Sequence, residues 1–290
     1  MWEDLDHFKS LWKLHPGLHT IKFGISESSI DLLINNNIGD GTAKVQPIFF
    51  TAAVSKRSEK NGPFFSGLGL ANRASIPLIS VADPGLDENP ELSLAWYTGS
   101  NKNNFTNNLD LIIEYICSSL NREPLFVGGS GGGFAALAAS ARYPSASSAL
   151  VWNPQTDIFE YNKKAVDKYL RSLFGIGNSS LRREDWIDFC RIRTDKHVVT
   201  NLADKKIPEN TRRLVYLQNI DDWHKTKHLL PFWSKQTSQT LKHGKNYLTS
   251  DRLFYISNFA EGHAPPPEII IRKIMISLMD KSFELKDLDI

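Results

Sequence analysis

LFVGGSGGGFAAL, residues 125–137, is the stretch that decides the fold. A short apolar run leads into Gly128-Gly129-Ser130-Gly131-Gly132, a G-x-S-x-G motif, and a helix rich in small residues follows. This motif is typical of a serine raised on a sharp strand-to-helix turn. The strained backbone of such a turn requires residues without side chains two positions before and two after the serine. Ser130 is therefore the candidate nucleophile, and the free N–H groups at the helix start favour an oxyanion beside it.

Two other interpretations of this loop are a glycine-rich connection without chemistry and a phosphate-binding loop. A Walker A loop needs Lys before its final Ser or Thr, and no Lys follows here. A dinucleotide-binding loop follows the first strand of its unit, whereas this loop follows roughly the fifth predicted strand. The nucleophile interpretation is therefore favoured.

Apolar runs and segments of helical periodicity alternate along the rest of the chain. The predicted strands lie near 20–25, 29–35, 45–53, 77–81, 124–127, 148–152, 214–217 and 253–256, and the predicted helices near 109–120, 132–142, 225–242 and 268–279. From residue 77 onward the alternation predicts an α/β fold, a mostly parallel sheet with helices on both faces. The three early strands lack helical crossovers, so we expect them to form antiparallel edges. Residues 157–211 interrupt the alternation, which predicts a single domain, 1–290, with a helical cap inserted at 157–211.

A serine nucleophile needs a general base, and the base needs an orienting acid. His263 lies in the loop between the last strand and the last helix, on the rim of the sheet where Ser130 is expected. The acid should follow the preceding strand, where Asp221 and Asp222 are adjacent. We favour Asp222, because the loop has by then had room to turn back across the rim. Asp221 and Asp157 remain alternatives.

The other candidate site residues flank these three. Gly131 N–H is one expected oxyanion donor, and a second donor usually comes from the loop after the third strand, where Ala52 and Ala53 lie. The common H-G-G-G motif is absent from that loop. The candidate substrate-binding residues are Gly129, Asn153, Trp223 and His228. The adjacent basic residues Lys56, Arg57 and Lys60 form either a solvated loop or a contact for an anionic donor or acceptor.

A metal site is the alternative use of the histidines near Asp222. His224 and His228 are spaced i, i+4 at the start of a predicted helix, and with Asp221 they could bind zinc. However, H-E-x-x-H is absent, and Asp221 is not a convincing third ligand in register with the two histidines. We therefore predict no metal, and we expect either a surface pair of histidines or one ring at the mouth of the pocket.

Composition limits the choice of partner and compartment. The 290 residues include 34 Lys+Arg, 32 Asp+Glu and 2 Cys, and a net charge of +2 gives no electrostatic reason to expect nucleic acid. No apolar window is long enough to predict a transmembrane segment, and the N-terminal sequence lacks the basic and apolar regions of a secretory signal. Cys117 and Cys190 are most simply thiols in a reducing compartment. We expect a cytoplasmic protein.

The order Ser130, Asp222, His263, each after the expected strand, resembles the α/β-hydrolase superfamily over about residues 20–280. A narrower resemblance is to bacterial proteins of surface-glycan gene clusters, similar to the O-acetyltransferases of capsule synthesis and of the accessory secretion system. It is carried by segments 83–84, 94–99, 128–133 and 153–157, by Gln218-Asn219, and by Asp222 and His228.

This resemblance implies serine-dependent acyl transfer through an acyl-enzyme. The implied reaction is O-acetyl transfer to a bacterial surface polysaccharide, or ester hydrolysis on one. Acetyl-CoA would be an acyl-donor substrate, and no tightly bound cofactor is expected. The acceptor would be a small molecule or a polysaccharide, and a homo-oligomer is left open. The alternative is a non-catalytic glycan-binding or scaffolding protein that kept the fold.

Overall fold

The computed structural model describes residues 1–23, 29–100 and 105–290. Its strands are β1 (Gly17–Lys22), β2 (Ser29–Ile34), β3 (Val45–Phe50), β4 (Ile79–Val81), β5 (Glu123–Gly129), β6 (Ser147–Trp152), β7 (Thr211–Asn219), β8 (Gly244–Thr249) and β9 (Arg252–Ser257). Its α-helices are α1 (Leu5–Leu11), α2 (Leu68–Ala74), α3 (Phe105–Leu120), α4 (Ser130–Arg142), α5 (Lys163–Phe174), α6 (Asn178–Leu181), α7 (Trp186–Thr194), α8 (Leu230–Gln236) and α9 (Glu268–Met279). The sequence predicts a turn at Ser26 and Ser28 between the first two strands, and this turn and the end of the strand predicted near 20–25 lie outside the described residues.

All of these strands join one sheet in the order β1-β2-β4-β3-β5-β6-β7-β9-β8. The six strands from β4 to β9 in that order run parallel, while β1, β2 and β8 add antiparallel edges. The carboxyl ends of β5, β7 and β9 therefore lie on the same rim of the sheet. The segments that contain Ser130, Asp222 and His263 follow these three strands at that rim.

Each face of the sheet is covered by helices whose apolar side chains point inward. On one face α3 buries Leu109, Ile112, Ile113 and Ile116, and α4 buries Phe134 and its run of alanines. On the other face α9 buries Ile271, Ile274, Met275 and Leu278. Periodic apolar residues in both α3 and α9 explain why these segments form helices. The predicted parallel sheet with helices on both faces is confirmed.

Two predictions about the secondary-structure elements were wrong, one about a strand and one about a helix. The third strand, β3, is not an antiparallel edge, because it lies inside the sheet and pairs in parallel with both β4 and β5. The helix predicted over 225–242 is a π-helical turn, Lys225–Leu229, followed by α8, which ends at Gln236. The edge strand β8 comes next, and it was missed because its sequence, GKNYLT, alternates in exposure and has no apolar run.

The segment 157–211 between β6 and β7 contains α5, α6 and α7. It packs on the body of the protein through buried side chains such as Tyr169, whose hydroxyl lies 2.8 Å from Thr98 Oγ1. The segment is helical as expected, and its role as a cap stays a prediction. Within the described ranges, every helix is too short or too polar to cross a bilayer.

Candidate active site

Ser130 lies where β5 ends and α4 begins, with φ of +50°. This left-handed conformation is uncommon for a residue with a side chain and is typical of strained functional positions. The turn is possible because the glycines on either side allow close packing. A Cβ on Gly128 would lie 2.3 Å from the carbonyl oxygen of Gly132, and one on Gly132 would lie 2.4 Å from that of Phe50. The predicted need for glycine two residues before and after Ser130 is confirmed.

Ser130, His263 and Asp222 form a connected hydrogen-bonded array. His263 Nε2 lies 3.0 Å from Ser130 Oγ, and His263 Nδ1 lies 2.6 Å from Asp222 Oδ2. With its proton on Nδ1, the imidazole donates to the carboxylate and accepts from the serine hydroxyl. The carboxylate is fully buried, while the His263 side chain is 32% exposed. The His263 imidazole is thus open to solvent and the Asp222 carboxylate is shielded from water.

The two alternative acids lie elsewhere. Asp221 is exposed. Asp157 accepts a hydrogen bond from Phe159 N–H at 3.0 Å and two from the Arg191 guanidinium at 2.9 and 3.1 Å, inside the 157–211 segment. Neither carboxylate contacts His263.

The second oxygen of Asp222 is bonded to His224. Both the backbone N–H and ring Nδ1 of His224 contact Asp222 Oδ1, at 3.0 and 2.9 Å. Burial raises the pKa of Asp222, but the hydrogen bonds from His224 and His263 outweigh it and hold that pKa well below its usual range. Asp222 is therefore a carboxylate at neutral pH. The His224 ring stacks on the His263 ring, with centroids 3.9 Å apart and planes 12° apart.

His224 and His228 are both fully buried, so the expectation of a surface pair or a ring at the pocket mouth was wrong. The i, i+4 spacing was assigned to an exposed helix face, but His224, at the N-cap of the π-helical turn, and His228, inside that turn, are both buried. His228 Nδ1 accepts a hydrogen bond from Thr156 N–H at 3.3 Å. Burial lowers the pKa of His228 to about 3. This residue, predicted to bind substrate, is packed behind His224.

Gln155 is a site residue that sequence reasoning missed. Its side chain is fully buried, its Nε2 lies 3.2 Å from Ser130 Oγ, and its Oε1 accepts a hydrogen bond from the Trp96 indole N–H. Because an indole N–H can only donate, the amide must turn its NH₂ group toward Ser130. The available signal was position, since Gln155 follows β6, the parallel strand next to β5.

Asn153 ties the His263 loop to the sheet. Its Nδ2 donates to the carbonyl of Ala264 at 2.8 Å, and its Oδ1 accepts from Asn219 N–H at 2.7 Å. Asn219 Nδ2 in turn donates to the carbonyl of Gly262 at 2.8 Å. Asn153 is only 2% exposed. Its contact with substrate stays a prediction, and its side-chain hydrogen bond to Ala264 holds the loop that carries His263.

The loop after β3 lies beside the serine. Strands β3 and β5 are parallel neighbours with Phe50 paired to Gly128, so the residues just after each strand are adjacent, about 5 Å apart. Thr51 N–H donates to the Tyr97 hydroxyl at 2.6 Å. Among the described residues, the N–H groups of Ala52 and Ala53 have no acceptor.

Gly131, the other predicted oxyanion donor, lies in the first turn of α4, where backbone N–H groups have no acceptor within the helix. Gly131 directly follows Ser130, and Ala52 and Ala53 follow β3, the strand next to β5 in the sheet.

The remaining predicted substrate contacts differ in exposure. Gly129 packs against Trp152, since a Cβ there would lie 2.0 Å from the indole nitrogen. Trp223 is 44% exposed beside the buried His224, and its ring stacks on Tyr161 of the 157–211 segment with centroids 5.8 Å apart. Trp223 and Tyr161 therefore form a partly exposed aromatic surface next to the array.

The basic residues in the loop after Ala53 differ in their exposure to solvent. Arg57 is buried and donates to the carbonyls of Lys60 and Leu86, at 2.6 and 2.9 Å. Lys56 is exposed, and it lines an open groove together with Ala53, Ser93 and Lys168. Glu91 also lines this groove and pairs with Lys168 at 3.2 Å, so the groove carries charges of both signs next to the loop that follows β3.

In the described part of the chain, one set of three side chains has atoms close enough to hold a metal ion. These are Asp222, His224 and His263, with ligand atoms within 4.8 Å of one another. The Nδ1 atoms of both histidines already contact the carboxylate. A metal would have to displace those protons, so the donor set fits a hydrogen-bonded array better than a metal centre. His228, which completed the zinc site considered from sequence, lies outside this set.

The fold resembles those of solved proteins from bacteria. A capsule O-acetyltransferase of Neisseria meningitidis serogroup A matches with a TM-score of 0.56 and 15% identity, over 90% of this chain and 94% of that chain. A mutant of that enzyme in complex with CoA matches with a TM-score of 0.57 and 12% identity, over 91% and 95%. A Glycosylation Associate Protein (Gap123) complex from Streptococcus agalactiae matches with a TM-score of 0.51 and 12% identity, over 86% of this chain and 42% of that chain.

Neither a family model nor a curated protein matches the sequence. At these low identities the structural likeness establishes the fold alone, and that fold is the α/β-hydrolase fold expected from the elbow motif.

Proposed function

We propose that this protein is a serine-dependent acyl-transfer enzyme that works through an acyl-enzyme, with Ser130, His263 and Asp222 as its catalytic triad. The observation that carries the proposal is the pair of contacts made by His263, 3.0 Å to Ser130 Oγ and 2.6 Å to Asp222 Oδ2. Ser130 also lies on a strained elbow at the start of a helix. A structural turn without chemistry needs neither the strain nor the buried carboxylate.

In the first half-reaction Ser130 Oγ attacks the carbonyl carbon of an ester or thioester while His263 Nε2 takes the serine proton. Asp222 stabilises the imidazolium that forms. The N–H groups of Gly131 and of Ala52 or Ala53 would stabilise the oxyanion. Collapse of the tetrahedral intermediate releases the alcohol or thiol, which takes the proton from His263.

In the second half-reaction His263 removes a proton from an acceptor hydroxyl, which attacks the acyl-enzyme carbonyl and restores Ser130. Water as acceptor gives hydrolysis, and a sugar hydroxyl gives O-acylation. The same triad serves both outcomes, so the choice depends on how the site excludes water and holds the acceptor.

We propose acetyl-CoA as the acyl donor and a bacterial surface polysaccharide as the acceptor. The groove beside Ala53 supports an anionic donor through the exposed Lys56 ammonium, whereas the Lys168 ammonium on the same groove is already paired with Glu91 at 3.2 Å. Trp223 and Tyr161 support a sugar acceptor, since aromatic faces pack well against the C–H faces of sugar rings. The likeness to a capsule O-acetyltransferase also agrees with this pairing. The two buried thiols agree with a cytoplasmic location.

A non-catalytic scaffolding role is the second candidate, and the likeness to the glycosylation-associated complex is the observation in its favour. A scaffolding role predicts that the Ser130→Ala variant scaffolds as well as wild type does.

The deciding experiment is a donor and acceptor screen read by mass spectrometry. Purified protein is mixed with acetyl-CoA, and acetylation of the protein, of oligosaccharides and of surface polysaccharides is measured beside the Ser130→Ala variant. Acetyl groups on an acceptor with wild type alone support the enzyme. If the variant acetylates equally, or if neither protein turns over any thioester or ester, the proposal fails.

A further inference from the structure

His224 belongs to a closed ring of hydrogen bonds around Ser130, and the proposed mechanism does not use it. Starting at Ser130, the ring passes to His263, to Asp222, to His224, to Gln155 and back to Ser130. Three of these five side chains, those of Asp222, His224 and Gln155, are fully or almost fully buried. The ring stacking of His224 on His263 adds a second contact between the same partners.

The proton positions around this cycle of hydrogen bonds are determined by the groups in it that can only donate. Gln155 turns its Nε2 toward both Ser130 Oγ and His224 Nε2, at 3.2 and 3.5 Å. An amide NH₂ group only donates, so His224 Nε2 must accept, and the single ring proton lies on Nδ1. That proton is donated to Asp222 Oδ1. If His224 were an imidazolium, its Nε2–H would face the NH₂ group of Gln155, and two donors would meet without an acceptor between them.

We propose that His224 is a positioning residue, a neutral second imidazole that shares Asp222 with His263 and fixes both the carboxylate and the plane of the catalytic ring. Two donors from His224 hold Oδ1, so the carboxylate cannot rotate and Oδ2 is left to His263. The face of the His224 ring packs on the His263 ring and restricts the rotation of that catalytic imidazole, whose side chain is one-third exposed. This inference rests on the proposed function, because it assigns His224 a part in activating Ser130.

Two substitutions separate the two contributions of His224. His224→Phe keeps a flat ring against His263 and removes the donor to Asp222. His224→Asn removes the ring and keeps an N–H donor near the position of Nδ1. His243→Phe is the matched control, because it makes the same chemical change at an exposed histidine between α8 and β8.

The measurement is the rate of labelling by a fluorophosphonate between pH 5 and 9, on protein shown to be folded by circular dichroism. Labelling of wild type should rise with pH, because the base must be neutral to accept the Ser130 proton. In His224→Phe we expect labelling about 10-fold slower, from the loss of one charge-assisted hydrogen bond. The midpoint should also move to higher pH, because a carboxylate with one donor fewer favours the charged form of His263 more strongly. A role in packing alone would not move the midpoint.

His224→Asn should keep the wild-type midpoint with a lower rate, and His243→Phe should match wild type in both. If His224→Phe does not fold, His224→Leu, which also lacks the donor, takes its place. A donor-free variant with the wild-type rate and midpoint overturns the role of His224 and leaves the proposed function intact. Failure of wild type to be labelled at any pH overturns the proposed function itself.

Discussion

Asp222→Asn tests the hydrogen bonds at the centre of the site, because it replaces one carboxylate oxygen by an NH₂ group with almost no change in shape. Asp222 Oδ1 accepts two N–H donors from His224, whereas Oδ2 accepts one from His263. The asparagine carbonyl should therefore take the Oδ1 position and its NH₂ group the Oδ2 position. His263 Nδ1 would then have to accept, which moves its proton to Nε2, where it blocks the Ser130 hydroxyl.

The expected loss follows from that change of tautomer. Loss of the correct tautomer with geometry retained lowers kcat by about 10⁴-fold in a serine triad, or about 5.5 kcal/mol of activation free energy. The assay is turnover of a chromogenic acetate ester at pH 7.5, with thermal unfolding measured on the same samples. The matched control is Asp221→Asn, the same change at the adjacent exposed carboxylate, which should retain activity.

The reasoning is refuted if Asp222→Asn retains activity within about 10-fold of wild type while remaining folded. It is also refuted if Asp221→Asn is the more damaging change, because the acid would then be the residue that the structure places in solvent.

Three further predictions concern the elbow, the donor groove and buried His228. Gly132→Ala should lower the free energy of unfolding by about 1–3 kcal/mol, because its Cβ would lie 2.4 Å from the backbone oxygen of Phe50. Denaturant titrations measure the change, and Gly177→Ala, with open space around its Cβ, is the control. Equal unfolding midpoints for the two variants would contradict this account. Lys56→Ala should raise KM for acetyl-CoA several-fold and leave KM for an uncharged ester unchanged, as initial rates would show; a parallel change for both substrates would count against a donor groove. The pKa of His228 is lowered by burial from 6.5 to about 3, so the folded state favours the neutral ring. Its contribution to stability should be complete above pH 6.5 and should fall by about 1.4 kcal/mol per pH unit as the pH drops below that value. Urea titrations from pH 7.5 to 4.5 should show a shallower fall for His228→Gln, and identical slopes would show that His228 does not titrate in this way.

The residues that the sequence predicted for the site are those whose positions follow from the order of the strands. Ser130 has a local motif, and Asp222 and His263 each follow a strand that could be recognised by its apolar run. Parallel strands bring such loops to one rim, so the side chains could be expected to meet before the structure was known.

The rest depended on contacts that no local pattern encodes. Gln155 and His224 act through hydrogen bonds between loops 69 residues apart in sequence. His224 was interpreted as exposed on a helix, but it lies at the N-cap of a π-helical turn and is buried against Asp222 and His263. The position of β3 inside the sheet was also hidden, because its neighbours β4 and β5 come later in the chain.

The most direct test of the central claim is to label the protein with a fluorophosphonate and locate the adduct by peptide mass mapping. The account predicts one adduct per chain, formed on Ser130 Oγ with loss of fluoride, and no adduct on the folded Ser130→Ala variant. An unlabelled wild type, or an adduct on another residue that persists in Ser130→Ala, would contradict it.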